Sequence, residues 1–465
     1  MTRSASRPRI AVVLAAGKGT RMRSKLPKPL FEVAGKPMLH WVLEAAKAAG
    51  CERSLVVVGY QAERLQEAFA DRDDVTWVLQ EEQLGTGHAL AQAEPHVDKD
   101  AMLLVLSGDV PALRPETLDR LASAAEQGGG ALAVAELDEP GRLGRVIADG
   151  ERLDRIVEAA DATPEELEIR CINAGLYALP APEAFDYLRR LSTDNAQGEL
   201  YLTDAVGMAS AEGGGVQVVT LEDPDEALGV NDRRDLAKVH RVLIDRAVQR
   251  LMDDGVTVLD PASTTVEPGV RVGMDTVIHP GVSLLGHTEI GEDVTVHQGS
   301  WIRDSTVGDR VELKPYSILD KAQVDEDCSV GPFARLRPAS VLQTGARVGN
   351  FVEVKNATLG PGAKAGHLTY LGDATIGEET NIGAGVVTCN YDGENKHRTE
   401  IGTHAFVGSD TMLVAPVRVG DGATTAAGSV ITDDVEPGGL GVGRARQRNI
   451  PGWAERKKTR ARRRK

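Results

Sequence analysis

An aliphatic residue followed by glycine recurs along the second half of the chain, at Val272-Gly273, Ile290-Gly291, Val307-Gly308, Val330-Gly331, Val348-Gly349, Ile376-Gly377, Ile382-Gly383, Ile401-Gly402, Val407-Gly408 and Val419-Gly420. Several intervals are 6 residues, or 17 to 19, which is about three hexapeptides. That period leaves the chain little choice. Each hexapeptide forms one side of a triangular coil, the aliphatic residue points inward, and the glycine or small residue turns the corner. Aromatic residues make up only 4% of the sequence and glycine 50 of 465 positions, a balance that suits tight coils better than a conventional packed core. Residues 255–444 are therefore read as a left-handed parallel β-helix of hexapeptide repeats. Its flat faces favour packing against copies of itself, so a homotrimer is expected.

The scan breaks inside Val348–Tyr391, at KAGHLTYLGD, where His367 sits between Gly366 and Leu368. Gly393–Thr399 interrupts it again after Asn390-Tyr391, an insertion able to cross to a neighbouring subunit. Arg337, Glu353, Lys355, His367, Tyr370, Asn381 and Asn390 stand on or near a few successive coils. A bare stalk has no need of such a set. Histidine is the usual proton acceptor near neutral pH, Glu353 is the carboxylate expected to fix its tautomer, and Arg337 and Lys355 are cations available for a phosphate.

The first half reads differently. Ile10–Ala16 is continuously apolar, as in a strand buried on both faces. Further apolar runs at Ser54–Val58, Val75–Leu79 and Ala101–Leu106 alternate with helical patterns at Pro37–Ala49, Gln61–Phe69 and Gly87–Ala93. This alternation predicts a Rossmann-like α/β domain on a mostly parallel sheet, with ligands beyond the carboxyl ends of its strands. The loop after the first strand fits: Gly17 and Gly19 let the backbone approach a phosphate, and Lys18, Arg21 and Lys28 supply charge. The spacing is not that of a P-loop. Asp109, in SGDVP just past a central strand, is placed to hold Mg²⁺. In QEEQLGTGHA, Gln80 and Thr86 are suited to hydrogen-bond a base, and the glycines allow close approach.

The ordered set LAAGKGTRMRSKLPKPL, QEEQLGTGHAL, SGDVP, GRLGRV, IVEAAD, INAGLY and GVNDR resembles the nucleotidyltransferase domain of sugar-1-phosphate uridylyltransferases. With the second half added, the chain resembles the bacterial bifunctional N-acetylglucosamine-1-phosphate uridylyltransferase/glucosamine-1-phosphate N-acetyltransferase family from about Ile10 to about Trp453. The resemblance implies that Leu14, Ala15 and Gly17 line the uridine nucleotide and that Gln80, Gly85 and Thr86 read uracil. It implies that Arg21 and Lys28 stabilise the triphosphate, that Asp109 and Asn231 hold Mg²⁺, and that Gly144, Glu158 and Asn173 hold the sugar. In the second half it implies His367 as general base and Arg337 and Lys355 on the phosphate. Tyr370, Asn381, Asn390 and Tyr391 would hold the amino sugar. Ala384, Ser409, Ala427 and Arg444 would line an acetyl-CoA cleft between subunits. UTP and acetyl-CoA are the implied co-substrates. Ser107 stands where some members carry Tyr. The alternative is a single-activity sugar-1-phosphate nucleotidyltransferase on a structural β-helix; the set around His367 counts against it.

The remaining features set limits. Residues 1–232 form the first domain in this reading, and 233–254 a helical linker with Leu236, Val239, Leu243, Ala247 and Leu251 on one face. Residues 445–465 form a C-terminal segment whose basic end, Arg456–Lys465, reads as a disordered, solvated tail. A formal net charge of −16 disfavours nucleic acid as a partner. Cys51, Cys171, Cys328 and Cys389 form no CxxC pair, so neither a zinc knuckle nor a disulfide framework is indicated, and scattered thiols fit a reducing cytoplasm. Cys389, beside Asn390, reads as a small buried residue. The opening MTRSASRPRIAVVLAAG mimics a signal peptide, but its apolar run is short and GKGTRMRSKLPK follows at once. No apolar run approaches the roughly 20 residues of a membrane-spanning helix.

Overall fold

The computed structural model describes residues 7–462. Residues 463–465 of the basic tail and residues 1–6 of the signal-like stretch lie outside the described residues. The chain divides into two compact units that meet at Ile244/Asp245, inside the helix Arg233–Asp253. Val239, Leu243, Ala247 and Leu251 are buried on that helix, as the apolar stripe predicts.

The first unit is built on a nine-stranded sheet. Its strands are β1 (Arg9–Leu14), β2 (Arg53–Val58), β3 (Val75–Leu79), β4 (Met102–Ser107), β5 (Ala131–Glu136), β6 (Arg145–Asp149), β7 (Arg152–Val157), β8 (Cys171–Pro180) and β9 (Gln217–Thr220). The order across the sheet is β3-β2-β1-β4-β8-β5-β9-β7-β6. All strands but β7 and β8 run in one direction. Helices α1 (Met38–Ala48), α2 (Ala62–Ala68) and α3 (Thr86–Ala91) fall where the periodicity puts them. The apolar run of β1 is explained by burial on both sides. Ala11 and Val13 face one core with Leu39, Val42 and Leu43 of α1, while Ile10 and Val12 face a second core with Phe185 and Leu202. A strand sealed on both faces has one open direction, its carboxyl end, and the site lies there.

The second unit is a parallel β-helix whose three faces carry sheets of 11, 10 and 9 short strands. Every pairing along these faces is parallel. Coils repeat every 17 or 18 residues, so Val266 lies over Leu284, Leu284 over Ile302, Ile302 over Leu319 and Leu319 over Leu336. Each of these residues is fully buried, and the stack continues through Val354 and Leu371. Thr388 replaces an aliphatic residue in it; its hydroxyl accepts from Gly372 N at 2.7 Å and donates to Gly372 O at 3.0 Å, so the polar group is satisfied. One coil is longer: Val387 pairs with Met412, 25 positions on. The extra residues form a loop closed by the antiparallel bridge Tyr391–Lys396.

One expectation fails. The described part of the basic tail belongs to a helix, Trp453–Arg462, and not to a disordered segment. Its Ala, Glu, Lys and Arg residues are good helix formers, and Glu455 sits in the first turn, where the helix dipole favours it.

Close stacking of coils makes a testable demand. A Cβ on Gly349 would lie 1.9 Å from the backbone oxygen of Gly366 on the next coil. Gly349→Ala is expected to destabilise the second unit by about 1–3 kcal/mol, an overpacking cost, measured by urea unfolding. An unchanged midpoint would show that the coils tolerate wider spacing.

Candidate active sites

In the first unit the loop after β1, the segment between β3 and α3, and the turn after β4 enclose a cavity of about 410 Å³. Leu14, Ala15, Gly17, Arg21, Lys28, Gln80, Gly85, Thr86 and Asp109 all line it. Lys18 does not; its side chain is exposed. Gly17 has nothing within 4 Å of where a Cβ would stand, so its surface is open to a ligand. Gly85 has φ +117°, and a Cβ there would lie 2.6 Å from Leu200 O, so only glycine fits. Gln80 is 3% exposed, and its Nε2 reaches His88 Nδ1 at 3.0 Å. His88 thus orients Gln80. Gln83, which the sequence reading passed over, pins the loop after β1 by donating to Ala16 O at 2.6 Å.

The cations and oxygen donors of this cavity are paired with each other. Lys28 Nζ meets Asp109 Oδ2, Ser107 Oγ donates to Asp109 Oδ1 at 2.8 Å, and Arg21 Nη2 donates to Asn231 Oδ1 at 2.8 Å. Val230 N donates to Asp109 O at 2.9 Å, which brings Asn231 beside Asp109. A carboxylate and an amide oxygen side by side fit a hard divalent cation that takes its other ligands from phosphate and water. Among the described residues no group of three or more acidic, His or Cys side chains is placed to hold a metal ion, so such a cation would draw further ligands from outside the protein.

Gly144, Glu158 and Asn173 come together as a second cluster. Asn173 N donates to Gly144 O at 2.9 Å, and a Cβ on Gly144 would lie 3.4 Å from Glu158 Oε2. Asn173 Nδ2 donates to the Tyr177 hydroxyl at 2.7 Å, and Thr203 Oγ1 donates to Glu158 Oε1 at 3.1 Å. Burial pushes the Glu158 carboxyl up from its ordinary value, outweighing the Thr203 hydrogen bond. Burial likewise raises the Tyr177 hydroxyl. Tyr177 and Thr203 escaped the sequence reading. Adjacent residues tie this cluster to the cavity, because Leu202 N donates to Thr86 Oγ1 at 3.1 Å.

In the second unit His367 lies on the exposed side of its coil. Its Nδ1 meets Asn350 Oδ1 at 2.6 Å, since Asn350 is directly opposite it on the previous coil. An oxygen acceptor at Nδ1 requires Nδ1–H and leaves the Nε2 lone pair free. The expectation that Glu353 fixes the tautomer is therefore corrected. Glu353 is in register with Tyr370 on the adjacent face, and it accepts from Arg337 Nη1 at 2.8 Å.

Cations gather beside it. Lys396, from the inserted loop, lies against Lys355 and pushes its ammonium below the usual lysine value, with Arg337 adding to the effect. Lys396 was not singled out in the sequence. Asp373 faces the same group; burial works to raise its carboxyl, but hydrogen bonds from Asn356 and Asn390 outweigh this and hold it low. Asn390 is buried with its amide on Asp373, whereas Tyr391 is exposed and donates to Gly393 O at 2.5 Å. Cys389 is half-buried and burial raises its thiol, away from thiolate reactivity.

Above His367 the register continues through small residues. Ala365 pairs with Ile382, Ile382 with Val407 and Val407 with Thr425, so Ala384, Ser409 and Ala427 follow at the position of His367. Gly443 ends this column, and the next residue, Arg444, lies over Gly428, its Cδ 3.9 Å from a Cβ built there. A histidine below a strip of small side chains offers a base beside a track for an extended ligand. Asn381 and Tyr370 are half-buried on the coils next to it.

These two sites define a chain that joins a nucleotidyltransferase to an acyltransferase of the hexapeptide class. Residues 11–204 match the MobA-like NTP transferase domain, and residues 398–433 match the hexapeptide repeat of succinyl-transferase. The bifunctional protein GlmU of Trichlorobacter lovleyi is 49% identical over 452 residues, covering 96% of this chain and 98% of that protein. The bifunctional protein GlmU of Pseudomonas entomophila is 51% identical over 444 residues, covering 95% and 97%. The chain belongs to the bifunctional GlmU family. It is a divalent-metal-dependent transferase of small molecules, and its hexapeptide column is of the oligomer-forming kind. Among the described residues no helix is long and apolar enough to cross a membrane.

Glu158 supplies a test of the second cluster. Because burial raises its folded-state value, ionising it costs stability as pH rises from the ordinary carboxylate range through that raised value. Glu158→Gln removes the cost. Thermal unfolding between about pH 4 and pH 8 is expected to give equal midpoints at the acidic end and a higher midpoint for the variant at the alkaline end. A variant less stable at the alkaline end would mean that the carboxylate is stabilised where it stands.

Proposed function

We propose that the enzyme first N-acetylates glucosamine 1-phosphate with acetyl-CoA at the β-helix, then transfers a uridylyl group from UTP to the product at the α/β unit. The result is UDP-N-acetylglucosamine, a precursor of cell-wall peptidoglycan. The arrangement that carries this reading is His367, its Nδ1 tied to Asn350, between a cation cluster and a column of small residues.

At the β-helix, Arg337, Lys355 and Lys396 hold the sugar phosphate, while Tyr370, Asn381, Asn390 and Tyr391 orient the amine. Nε2 of His367 takes a proton from the 2-amine as its nitrogen attacks the thioester carbonyl. The C–N bond forms, the C–S bond breaks, and the imidazolium passes the proton to the departing sulfur, so that CoA leaves as the thiol. Asn350 keeps the lone pair on Nε2 and steadies the imidazolium that results. Acetyl-CoA lies along Ala384, Ser409 and Ala427, with Arg444 on its phosphates.

At the α/β unit, a phosphate oxygen of N-acetylglucosamine 1-phosphate attacks the α-phosphorus of UTP in line. One P–O bond forms, the α–β bridging bond breaks and pyrophosphate departs. No side-chain base is needed, because the attacking phosphate is already ionised. Arg21 and Lys28 neutralise charge on the triphosphate. Gln80, Gly85 and Thr86 hold uracil beside Leu14, Ala15 and Gly17, and Gly144, Glu158 and Asn173 hold the sugar. Asp109 and Asn231 would hold Mg²⁺, which would offset the charge of the reacting phosphates.

The working assembly is a homotrimer in the cytoplasm. Tyr316, Phe333 and Phe351 stack on successive coils with centroids 5.4 and 5.3 Å apart. They are exposed together with Leu368, beside His367, a surface suited to a neighbouring copy. The four free cysteines suit a reducing compartment.

His367→Ala is expected to lower CoA thiol release with glucosamine 1-phosphate by about 10²–10⁴-fold and leave uridylyl transfer to N-acetylglucosamine 1-phosphate unchanged. No thiol release from folded wild-type protein would overturn the acetyltransferase reading. Chelation of divalent metal is expected to abolish pyrophosphate release and spare thiol release; equal loss of both would remove the assignment of the metal to Asp109 and Asn231.

A further inference from the structure

Arg145 is 3% exposed, and among the described residues no carboxylate pairs with it. Its guanidinium is spent on backbone oxygens. Nη1 donates to Leu143 O, and Nη2 donates to Gly141 O at 3.1 Å and Leu167 O at 3.3 Å. Its Nε is buried without a hydrogen-bond partner. A buried guanidinium held this way costs desolvation that a surface arginine avoids, and neither proposed reaction uses it.

The register explains what it does. Arg145 pairs with Val157 on β7 and with Ile172 on β8. The next row of the same three strands is Glu158, Gly144 and Asn173, the proposed sugar cluster. Side chains in adjacent rows point to opposite faces of a sheet, so Arg145 acts from behind that cluster and does not touch the sugar. What it holds is the approach to Gly144. Leu143 N donates to Pro140 O at 3.2 Å, closing a turn in which Gly141 has φ +56°. The carbonyls of Gly141 and Leu143 in this turn converge on the guanidinium, as does that of Leu167 at the end of the short helix Pro164–Leu167.

We infer that Arg145 is a positioning residue for the acceptor-sugar subsite, a buried clamp that fixes the Pro140–Gly144 turn and the segment ending at Leu167 around the sugar. The inference rests on the reading of Gly144, Glu158 and Asn173 as the sugar subsite. Misplacing a positioning element by a fraction of an ångström weakens the interactions it aligns, while substrates bound elsewhere are spared.

The test is steady-state uridylyl transfer by the full-length chain with wild type, Arg145→Lys and Arg145→Met. Arg145→Met is expected to raise KM for N-acetylglucosamine 1-phosphate about tenfold or more, with KM for UTP changed less than about twofold. Arg145→Lys is expected to recover only part of the loss, because one ammonium cannot reproduce the planar fork. Thiol release at the β-helix reports independently that each variant is folded there, and limited proteolysis reports on the first unit. Equal rises in both KM values, a fall in kcat alone, or full recovery in Arg145→Lys would overturn the inference. Absence of uridylyl transfer in the wild type would sink the functional reading instead, which is a separate outcome.

Discussion

Parallel stacking of one short coil on the next is the constraint from which the second site follows. Because neighbouring coils exchange backbone hydrogen bonds in register, a side chain's neighbours are set by position in the repeat and not by closeness in sequence. Asn350 and His367 are 17 residues apart and in contact. The same column carries Ala384, Ser409 and Ala427 upward from the histidine, so catalytic base and ligand track are one feature of the register. The inserted loop then brings Lys396 to Lys355. Like charges at close range cost free energy, which a phosphate bound between them would recover.

The first site is organised by a different rule. A parallel sheet sealed on both faces leaves its strand ends as the open surface, and three successive strand-end segments contribute a phosphate-approaching glycine loop, a base-facing loop and an acidic turn. The cations of that site are paired with its oxygen ligands, Lys28 with Asp109 and Arg21 with Asn231. Asp109 thus neutralises Lys28, while Arg21, held by an uncharged amide, keeps its charge for a phosphate. The sugar cluster follows from a third rule, the cross-strand row, which places Glu158, Gly144 and Asn173 on neighbouring strands and Arg145 behind them.

Much of this was legible in the sequence, for identifiable reasons. The hexapeptide period specifies a coil because nothing else uses it, and the apolar strand followed by GKGTRM specifies a strand-end loop. Residues whose roles depend on local motif, such as Gly17, Lys28, Gly85 and Asp109, stand on one cavity. Asn350 was missed and Glu353 chosen because chemical type was weighed ahead of coil arithmetic; subtracting 17 from His367 would have found the asparagine. Lys396 lies in an insertion, where the repeat carries no information. Thr203 reaches Glu158 from 45 residues away, Tyr177 meets Asn173 across an irregularity in the strand, and Arg145 is placed by cross-strand pairing, none of which a local pattern encodes. In the terminal segment, charge density points to disorder while the intrinsic helix preference of the same residues points to a helix, and the helix preference prevails as far as Arg462.

The central claim is that one chain runs two transfers in sequence, the β-helix supplying the substrate of the α/β unit. The most direct measurement is a single reaction containing glucosamine 1-phosphate, acetyl-CoA, UTP and Mg²⁺, followed by phosphorus NMR. The account predicts that the N-acetylated sugar phosphate forms first, and that the nucleotide sugar and pyrophosphate follow from it. A nucleotide sugar formed at the same rate without acetyl-CoA would contradict the account, because the uridylyl site would then accept the free amine and the two halves would not be coupled by chemistry.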